Sequence, residues 1–225
     1  MKLISAVLTV VFALRMASAA TFSSGDYKYE RVADALGDYA RITDYTGADF
    51  PHSISIPGMI GGFPVRVIGR YAFSNTWIQE VTLPDSVEVV EVGAFNMNFD
   101  LEGFTVASGN QFYKTVQGVL FTKDGARLVK FPIGKDLSEY EVPSNVRVIE
   151  EGAFFHALLE RVNLPQSLEI IGDYAFSYCA GLQAIFIPEN VSEIGSGAFA
   201  SCYSLPEFGV FEDNLAYRAI HGLLY

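Results

Sequence analysis

A thirteen-residue pattern that returns along the chain constrains its fold more than any other feature of the sequence. Each copy runs from an aliphatic residue and a proline to the pair Ala-Phe, and the four copies are LPDSVEVVEVGAF at 83–95, VPSNVRVIEEGAF at 142–154, LPQSLEIIGDYAF at 164–176 and IPENVSEIGSGAF at 187–199. With a further pair at 72–73, the Ala-Phe pairs begin at Ala72, Ala94, Ala153, Ala175 and Ala198, at steps of 22, 59, 22 and 23 residues. A unit this short cannot enclose its own apolar side chains, so the copies are expected to stack as the turns of a solenoid.

A second apolar pattern precedes the prolines. In LERVNLP at 159–165 and LQAIFIP at 182–188, apolar residues follow the spacing L-x-x-L-x-L. This spacing at a period in the twenties is the signature of leucine-rich repeats, and its alternating triplet predicts a short strand with two apolar side chains on one face. We therefore predict a mainly β fold, a leucine-rich repeat solenoid with short parallel strands. The array is expected to span 51–225 in about eight coils.

The long step between the second and third Ala-Phe pairs contains a hairpin signal. The segment GVLFTKDGARLVKFP at 118–132 places Lys-Asp-Gly between two apolar runs. This arrangement predicts a β-hairpin that takes the place of one coil, and an irregular loop is the alternative.

The segment 104–121 also aligns without a gap on 208–225, with six of eighteen positions identical. Because the first copy continues into a return strand, we expect a longer native form that continues past Tyr225.

The residues before the array fall into two segments. Residues 1–19 combine Lys2, an apolar run at 3–14 and small residues at 17–19, which predicts a secretory signal peptide. A membrane anchor or buried helix is the alternative, but a spanning helix needs about 20 apolar residues, so we expect no membrane insertion after cleavage. Residues 20–50 lack the repeat. Their alternating tyrosines and charged residues predict a β-hairpin that caps the first coil.

The charge of the chain argues against one class of partner. Lys and Arg number 15 and Asp and Glu number 26, so the formal net charge is −11 at pH 7. Such a surface repels phosphate backbones, and the sequence contains no basic patch to offset the repulsion. We therefore expect no nucleic-acid partner.

The two cysteines, Cys179 and Cys202, each lie three residues after the Phe of an Ala-Phe pair. Equivalent positions on neighbouring coils would be about 5 Å apart, which permits a disulfide in an oxidising compartment. The alternative is two small buried thiols that bond to backbone groups. Asn98 stands at the matching position of an earlier copy. The sequence leaves both interpretations open.

Other residue types give no catalytic pattern. The histidines at 52, 156 and 221 are scattered, and two cysteines are too few for a zinc site. The sequence has no nucleophile elbow and no phosphate-binding glycine loop. We therefore predict no enzymatic activity, no metal and no cofactor. Asn190 begins an N-glycosylation sequon in a turn, which matters only in a eukaryotic source.

Three kinds of segment together resemble the BspA-like leucine-rich repeat proteins. They are SISIPGMIGGFPVRVIGRYAF at 53–73, the I-P-x-x-V-x-x-I-G-x-x-A-F-x-x-C units, and GVLFTKDGARLVKFPIG at 118–134. The resemblance covers roughly 27–225. It implies a secreted or surface-displayed solenoid that binds extracellular or host-surface proteins, sometimes matrix proteins. It brings no catalytic residues.

The expected binding surface is the outward-pointing position of each strand triplet, on the concave face of the solenoid. These positions hold Ser55, Thr82, Thr105, Glu141, Asn163, Phe186 and Gly209, with Arg161 as a neighbour. Phe186 is the residue least expected on a wet surface, so it is the first candidate for a contact. We interpret the chain as a protein-binding or adhesion module. The alternatives are a structural spacer with a merely solvated face, or the non-catalytic repeat region of a larger surface protein or secreted enzyme.

Overall fold

The computed structural model describes residues 20–47, 52–220 and 222–225. The predicted signal peptide at 1–19 and the last positions of the predicted cap, 48–50, lie outside these residues. The described residues form 21 strands and contain no helical segment. Accordingly, nothing in the described part of the chain is a helix with the length and apolar character needed to cross a membrane.

The N-terminal cap is a three-stranded antiparallel sheet. Its strands are β1 Thr21–Ser24, β2 Tyr27–Asp34 and β3 Gly37–Tyr45. The predicted hairpin is confirmed as β2 and β3, which pair along their whole length from Tyr27 opposite Tyr45 to Asp34 opposite Gly37. β1 adds a third strand that the sequence analysis missed.

The first half of the array follows the cap. Its strands are β4 His52–Ser55, β5 Met59–Ile60, β6 Phe63–Ile68, β7 Ile78–Leu83, β8 Val89–Val90 and β9 Gly103–Val106. Strands β4, β7 and β9 pair in parallel, and β3, β6 and β8 form a second parallel set. β5 makes a short antiparallel pair with β6. The predicted short parallel strands are therefore present.

Ion pairs fasten the cap to the array. Arg41 on β3 binds Glu30 of the cap at 3.2 Å and Glu91 of the array at 2.6 Å. Arg66 on β6 reaches back to Asp34 of the cap at 2.8 Å. All five side chains are partly buried, so salt screens these pairs less than it screens fully exposed ones.

An insert of three antiparallel strands separates the two halves. They are β10 Tyr113–Val116, β11 Val119–Thr122 and β12 Arg127–Lys130. The predicted hairpin is confirmed as β11 and β12. Its turn contains Gly125 at a φ of 78°, in the left-handed region that a residue without Cβ enters at little cost. β12 then pairs in parallel with the next coil, so the insert rejoins the stack.

The second half repeats the plan of the first. Its strands are β13 Glu139–Glu141, β14 Val148–Ile149, β15 Arg161–Asn163, β16 Ile170–Ile171, β17 Phe186–Ile187, β18 Glu193–Ile194, β19 Gly209–Val210, β20 Ala219–Ile220 and β21 Leu223–Leu224. The strands β12, β14, β16 and β18 form one parallel set, and β13 pairs with β15 as β17 does with β19. A bridge between Arg161 and Ala184 places β17 beside β15.

We call the surface formed by β4, β7, β9, β13, β15, β17 and β19 the strand face. It has seven strands among the described residues, whereas the sequence predicted about eight coils. The difference comes from the insert, because β10, β11 and β12 pair with one another and with β14. They contribute no strand to the strand face.

The phenylalanines of the Ala-Phe pairs stack in columns through the core. The ring centroids of Phe73 and Phe95 are 5.2 Å apart, those of Phe154 and Phe176 are 4.8 Å apart, and those of Phe176 and Phe199 are 5.2 Å apart. The predicted stacking of the repeats is therefore confirmed. Full burial of such a side chain contributes about 1.5–3 kcal/mol, so the solenoid core depends on these columns.

A sixth rung of this column lacks the Ala-Phe signature. Phe131 stacks on Phe154 with centroids 5.2 Å apart. Its backbone N–H donates to the carbonyl of Ala153 at 2.9 Å, as the N–H of Phe154 donates to Ala175 at 2.8 Å. Lys130 therefore occupies the position of the small alanine. The sequence analysis missed this rung because it searched for the pair, although Lys130 precedes Ala153 by the ordinary step of 23 residues.

Strand β11 separates two hydrophobic cores. Leu120 packs with the core of the first half, whereas Val119 and Phe121 pack with the core of the second half. Alternate side chains of a strand point to opposite faces, so one strand can serve both cores. All three side chains are at most 1% exposed. The insert thus contributes buried side chains to the cores of both halves.

Candidate functional site

The eight residues predicted for the binding surface all lie on strands of the strand face. Thr82 of β7 is the register partner of Thr105 of β9, and Glu141 of β13 is the partner of Asn163 of β15. Arg161 begins β15, and Phe186 begins β17. Thr82 and Gly209 are partly buried and the other six are exposed.

The predicted ladder is nevertheless divided between Thr105 and Glu141. In the described part of the chain, no strand pairing joins β9 to β13. The backbone N–H of Phe104 on β9 donates to the carbonyl of Gly118 in the insert, at 2.8 Å. The insert thus takes the hydrogen bonds that a neighbouring coil would make. Ser55, Thr82 and Thr105 belong to one sheet, and the other candidate residues lie on the second half of the strand face.

A shallow depression of about 360 Å³ gathers three of the predicted residues, Arg161, Asn163 and Phe186. We call it the Phe186 depression; it is lined by Arg161, Val162, Asn163, Leu164, Ala184, Phe186 and Phe211. Phe186 is 60% exposed and Phe211 is 46% exposed. Two exposed phenyl rings beside a guanidinium and an amide can hold a partner by apolar contact and hydrogen bonds.

The ring of Phe186 lies against Gly209, which has no side chain. A Cβ atom built on Gly209 would lie 2.3 Å from Cδ1 of Phe186, so the ring rests directly on the glycine backbone. Gly209 is the register partner of Phe186 on β19.

The sequence analysis missed Phe211 as a member of this site. Phe211 stands two residues after the triplet centre, where other copies have a proline, as at Pro143, Pro165 and Pro188. Replacement of that proline by an aromatic residue was the signal that could have identified it. The proximity of Phe211 to Phe186 comes from the stacking of β19 on β17.

The charged groups of this region are unpaired. Arg161, Glu139 and Glu141 are exposed, and none of them belongs to an ion pair within 4.0 Å among the described residues. Within the residues that the structure covers, no group of three or more His, Cys, Asp or Glu side chains is placed to hold a metal ion. His221 lies outside those residues.

Cys179 and Cys202 are free thiols in the structure, so the disulfide considered from the sequence is not formed. The thiol of Cys179 donates to the carbonyl of Phe154 and that of Cys202 to the carbonyl of Phe176, both at 3.1 Å. Asn98 does the same at the matching position, where its side-chain amide donates to the carbonyl of Phe73 at 2.6 Å. Burial raises the pKa of the Cys179 thiol to about 12 and also raises the pKa of the Cys202 thiol. The protonated donors therefore persist at neutral pH.

The predicted glycosylation residue lies apart from the Phe186 depression. Asn190 is exposed in the turn that follows β17, and its side-chain amide donates to the carbonyl of Gln166 at 2.8 Å. It borders a second shallow depression, of about 330 Å³. Modification of Asn190 remains a prediction.

Comparisons with known proteins agree with the repeat architecture. Two solved bacterial structures are similar to the chain. One is a leucine-rich repeat protein from Eubacterium ventriosum, at 27% identity and a TM-score of 0.67, over 72% of this chain and 42% of that one. The other is a leucine rich cell surface protein from Faecalibacterium prausnitzii, at 25% identity and a TM-score of 0.55, over 94% of this chain and 59% of that one. The chain thus spans less than two thirds of either relative.

A search of curated proteins found no match. The family model described as BspA type leucine rich repeat region matches six copies, over residues 50–124 and 130–217. This match covers well over half of the chain. The chain therefore belongs to the BspA-type leucine-rich repeat family.

Proposed function

We propose that this protein is a secreted or cell-surface module that binds other proteins through its strand face, with the Phe186 depression at the centre of the contact. The observation that carries the proposal is the 60% exposure of Phe186, whose ring rests on the backbone of Gly209. Energetically dominant interface residues are enriched in aromatic and arginine side chains that lie near the centre of a contact. Phe186, Phe211 and Arg161 supply both types.

The dimensions of the strand face suit a macromolecule better than a small substrate. The insert divides the strand face, so at about 4.8 Å spacing its three first-half strands reach about 10 Å and its four second-half strands about 15 Å. The Phe186 depression among the latter is shallow. A standard protein interface buries about 800 Å² on each partner. The strand face with its flanking turns offers an open surface for such an interface, whereas small-molecule sites are mostly concave pockets that bury most of the ligand.

The proposed location rests on two observations. The similar protein from Faecalibacterium prausnitzii is described as a cell surface protein. Residues 1–19 of this chain have the composition of a secretory signal peptide. Expression of the full chain with detection in the medium, the surface fraction and the cytoplasm would test this part of the proposal. Retention in the cytoplasm would contradict it.

Binding is tested with the purified chain immobilised and a solubilised extracellular-matrix extract as the probe. We expect saturable capture of a matrix protein, which is then purified and titrated. Phe186→Ala should weaken that interaction about tenfold or more, because it removes the exposed ring. Leu36→Ala is the matched control, because Leu36 is an exposed apolar side chain of the cap that lies outside the strand face. It should leave the affinity unchanged. Circular dichroism should show both variants folded.

An unchanged affinity of Phe186→Ala would place the contact elsewhere, and the absence of any saturable partner would favour the alternative function. That alternative is a structural spacer or non-catalytic repeat region within a larger surface protein or secreted enzyme. It is supported by the lengths of the similar structures, of which this chain spans 42% and 59%.

A further inference from the structure

The second half of the strand face separates its negative charges from its apolar surface. On β13, Glu139 and Glu141 are exposed because the residue between them points into the core. On β15, the exposed residues are Arg161 and Asn163. β17 then exposes Phe186. Carboxylates therefore lie at one end of this region and phenyl rings at the other, with hydrogen-bond donors between them.

The register fixes the distance between the two ends. Glu141 is the partner of Asn163, and the bridge from Arg161 to Ala184 places β17 beside β15. Glu141 and Phe186 are consequently two strands apart, which is about 10 Å at about 4.8 Å per strand.

The two carboxylates at this end lack a cation within the described residues. Glu139 is the register partner of Arg161, but their side chains form no ion pair within 4.0 Å, and Glu141 has none either. The whole chain carries a formal charge of −11. The two exposed glutamates and the net negative charge of the chain therefore both favour a basic group on the partner.

We infer that the strand face takes an extended partner segment, with a basic side chain at Glu139 and Glu141 and a large apolar side chain in the Phe186 depression. This inference rests on the proposed function and adds the chemistry of the partner to it. A polyproline II segment fits the spacing, because it has three residues per turn and rises about 3.1 Å per residue. Side chains three positions apart then point the same way at about 9 Å. A β-strand would place same-side residues about 7 or 13 Å apart.

Arg161 and Asn163 lie beneath the middle of such a segment. Guanidinium and amide N–H groups donate hydrogen bonds, and a polyproline II backbone leaves its carbonyls unpaired to accept them. The guanidinium also repels a second basic side chain at the intervening positions. The partner is thus a proline-containing segment in which one basic residue lies three positions from one large apolar residue.

The test uses a fluorescein-labelled peptide, Gly-Pro-Lys-Pro-Pro-Phe-Pro-Gly, its reversed sequence and the full chain, with binding followed by fluorescence polarisation. The reversed peptide is included because a polyproline II segment can lie in either direction along the face. Three control peptides replace Lys by Glu, replace Phe by Ala, or shorten the spacing to two positions. We expect saturable binding in at least one direction, and binding about fivefold weaker or worse for each control.

Variants of the chain assign the effect to the named groups. The double variant Glu139→Gln with Glu141→Gln should weaken binding of the lysine peptide about fivefold and reduce its dependence on salt. Asp85→Asn is the matched control, because Asp85 is an exposed carboxylate in the first half of the array. It should change the affinity less than about twofold.

Three outcomes would overturn this inference: no binding of either lysine peptide, equal binding of the Lys and Glu peptides, or an unaltered affinity of the double glutamine variant. If Phe186→Ala still weakens the matrix partner in any of these cases, the proposed function stands and only the partner chemistry is wrong. If Phe186→Ala changes the affinity of neither the peptides nor the matrix partner, the proposed function fails as well.

Discussion

The two copies of one segment, 104–121 and 208–225, make the same hydrogen bonds in different surroundings. The amide of Asn110 donates to the carbonyls of Pro84 and Val87, and its oxygen accepts from two backbone N–H groups. Asn214 makes the equivalent four bonds. The hydroxyls of Tyr113 and Tyr217 each accept a backbone N–H from the preceding coil at 2.9 Å.

Burial distinguishes the two copies. Phe121 is 1% exposed, whereas Tyr225 at the equivalent position is 60% exposed. The first copy is covered by β12 and the coil that follows it, and the described residues provide no such cover for the second copy. The comparison teaches that the segment itself encodes its hydrogen bonds, while the neighbouring chain decides how much stability the segment contributes.

The matched pair Phe121→Ala and Tyr225→Ala should give the largest difference between the copies. Phe121→Ala removes a ring from the second core and leaves a cavity, which costs about 3–5 kcal/mol. Tyr225→Ala removes a largely exposed ring and should cost at most about 0.5 kcal/mol. Urea unfolding measures both values. Equal losses would mean that the second copy is buried in solution.

The two asparagines should give the second-largest difference in stability loss between the copies. Asn110→Ala leaves four backbone groups without their partner at a site that is 0% exposed, which should cost about 2–3 kcal/mol. Asn214 is also buried, at 9% exposure, but its neighbour Leu215 is 99% exposed. Asn214→Ala breaks the same four bonds nearer to water, so it should cost about 1–2 kcal/mol. The free energy of unfolding in urea tests this order. A larger loss for Asn214→Ala would show that cover by β12 is unimportant.

Lys130 lies on β12, the strand that covers the first copy, and its side chain contacts both halves of the array. Its side-chain nitrogen Nζ is buried and lies 2.8 Å from Oδ1 of Asn96 and 2.9 Å from the carbonyl of Gly152. Two acceptors suit the two N–H groups of a neutral amine. Burial lowers the pKa of Lys130 to about 7, although the nearby Cys179 opposes this decrease.

The smallest predicted effect is therefore a pH dependence that Lys130 causes. The ordinary pKa of lysine, 10.5, applies to the unfolded chain, so above pH 7 the unfolded chain holds a proton that the folded chain releases. The unfolded state then binds more protons, and stability rises with pH by about 1 kcal/mol per unit. Urea unfolding between pH 7 and 8 measures this slope, because the thiols of the unfolded chain have an ordinary pKa of 9.0 and the tyrosines titrate at higher pH.

Lys130→Met is the control for that slope, because it keeps the apolar chain and removes the amine. The variant should unfold with a nearly flat dependence over the same pH range. A slope unchanged by the substitution would assign the pH dependence to other groups, such as the nearby His156, and would show that Lys130 stays protonated in the fold.

The accuracy of the sequence predictions depended on whether a feature repeats. The Ala-Phe columns and the parallel strands were predicted because each copy imposes the same spacing. The turn at Gly125 was predicted from the local hairpin signal Lys-Asp-Gly between two apolar runs. The Lys130-Phe131 rung was missed because a lysine replaces the alanine of the repeat, although Phe131 stacks on Phe154 as the other phenylalanines of the column do. Phe186 was predicted as an outward residue, but the sequence alone could not place Phe211 beside it.

By itself, the sequence determined that apolar side chains recur at intervals too short to fold alone, and this required a stack of β-coils. The tertiary structure decided where the stack is divided. β11 places Leu120 in one core and its two neighbours in the other, and it interrupts the strand face between Thr105 and Glu141. The physical reason is that a periodic pattern fixes which residues point inward, whereas the partners of an edge strand depend on backbone hydrogen bonds to chain segments distant in sequence.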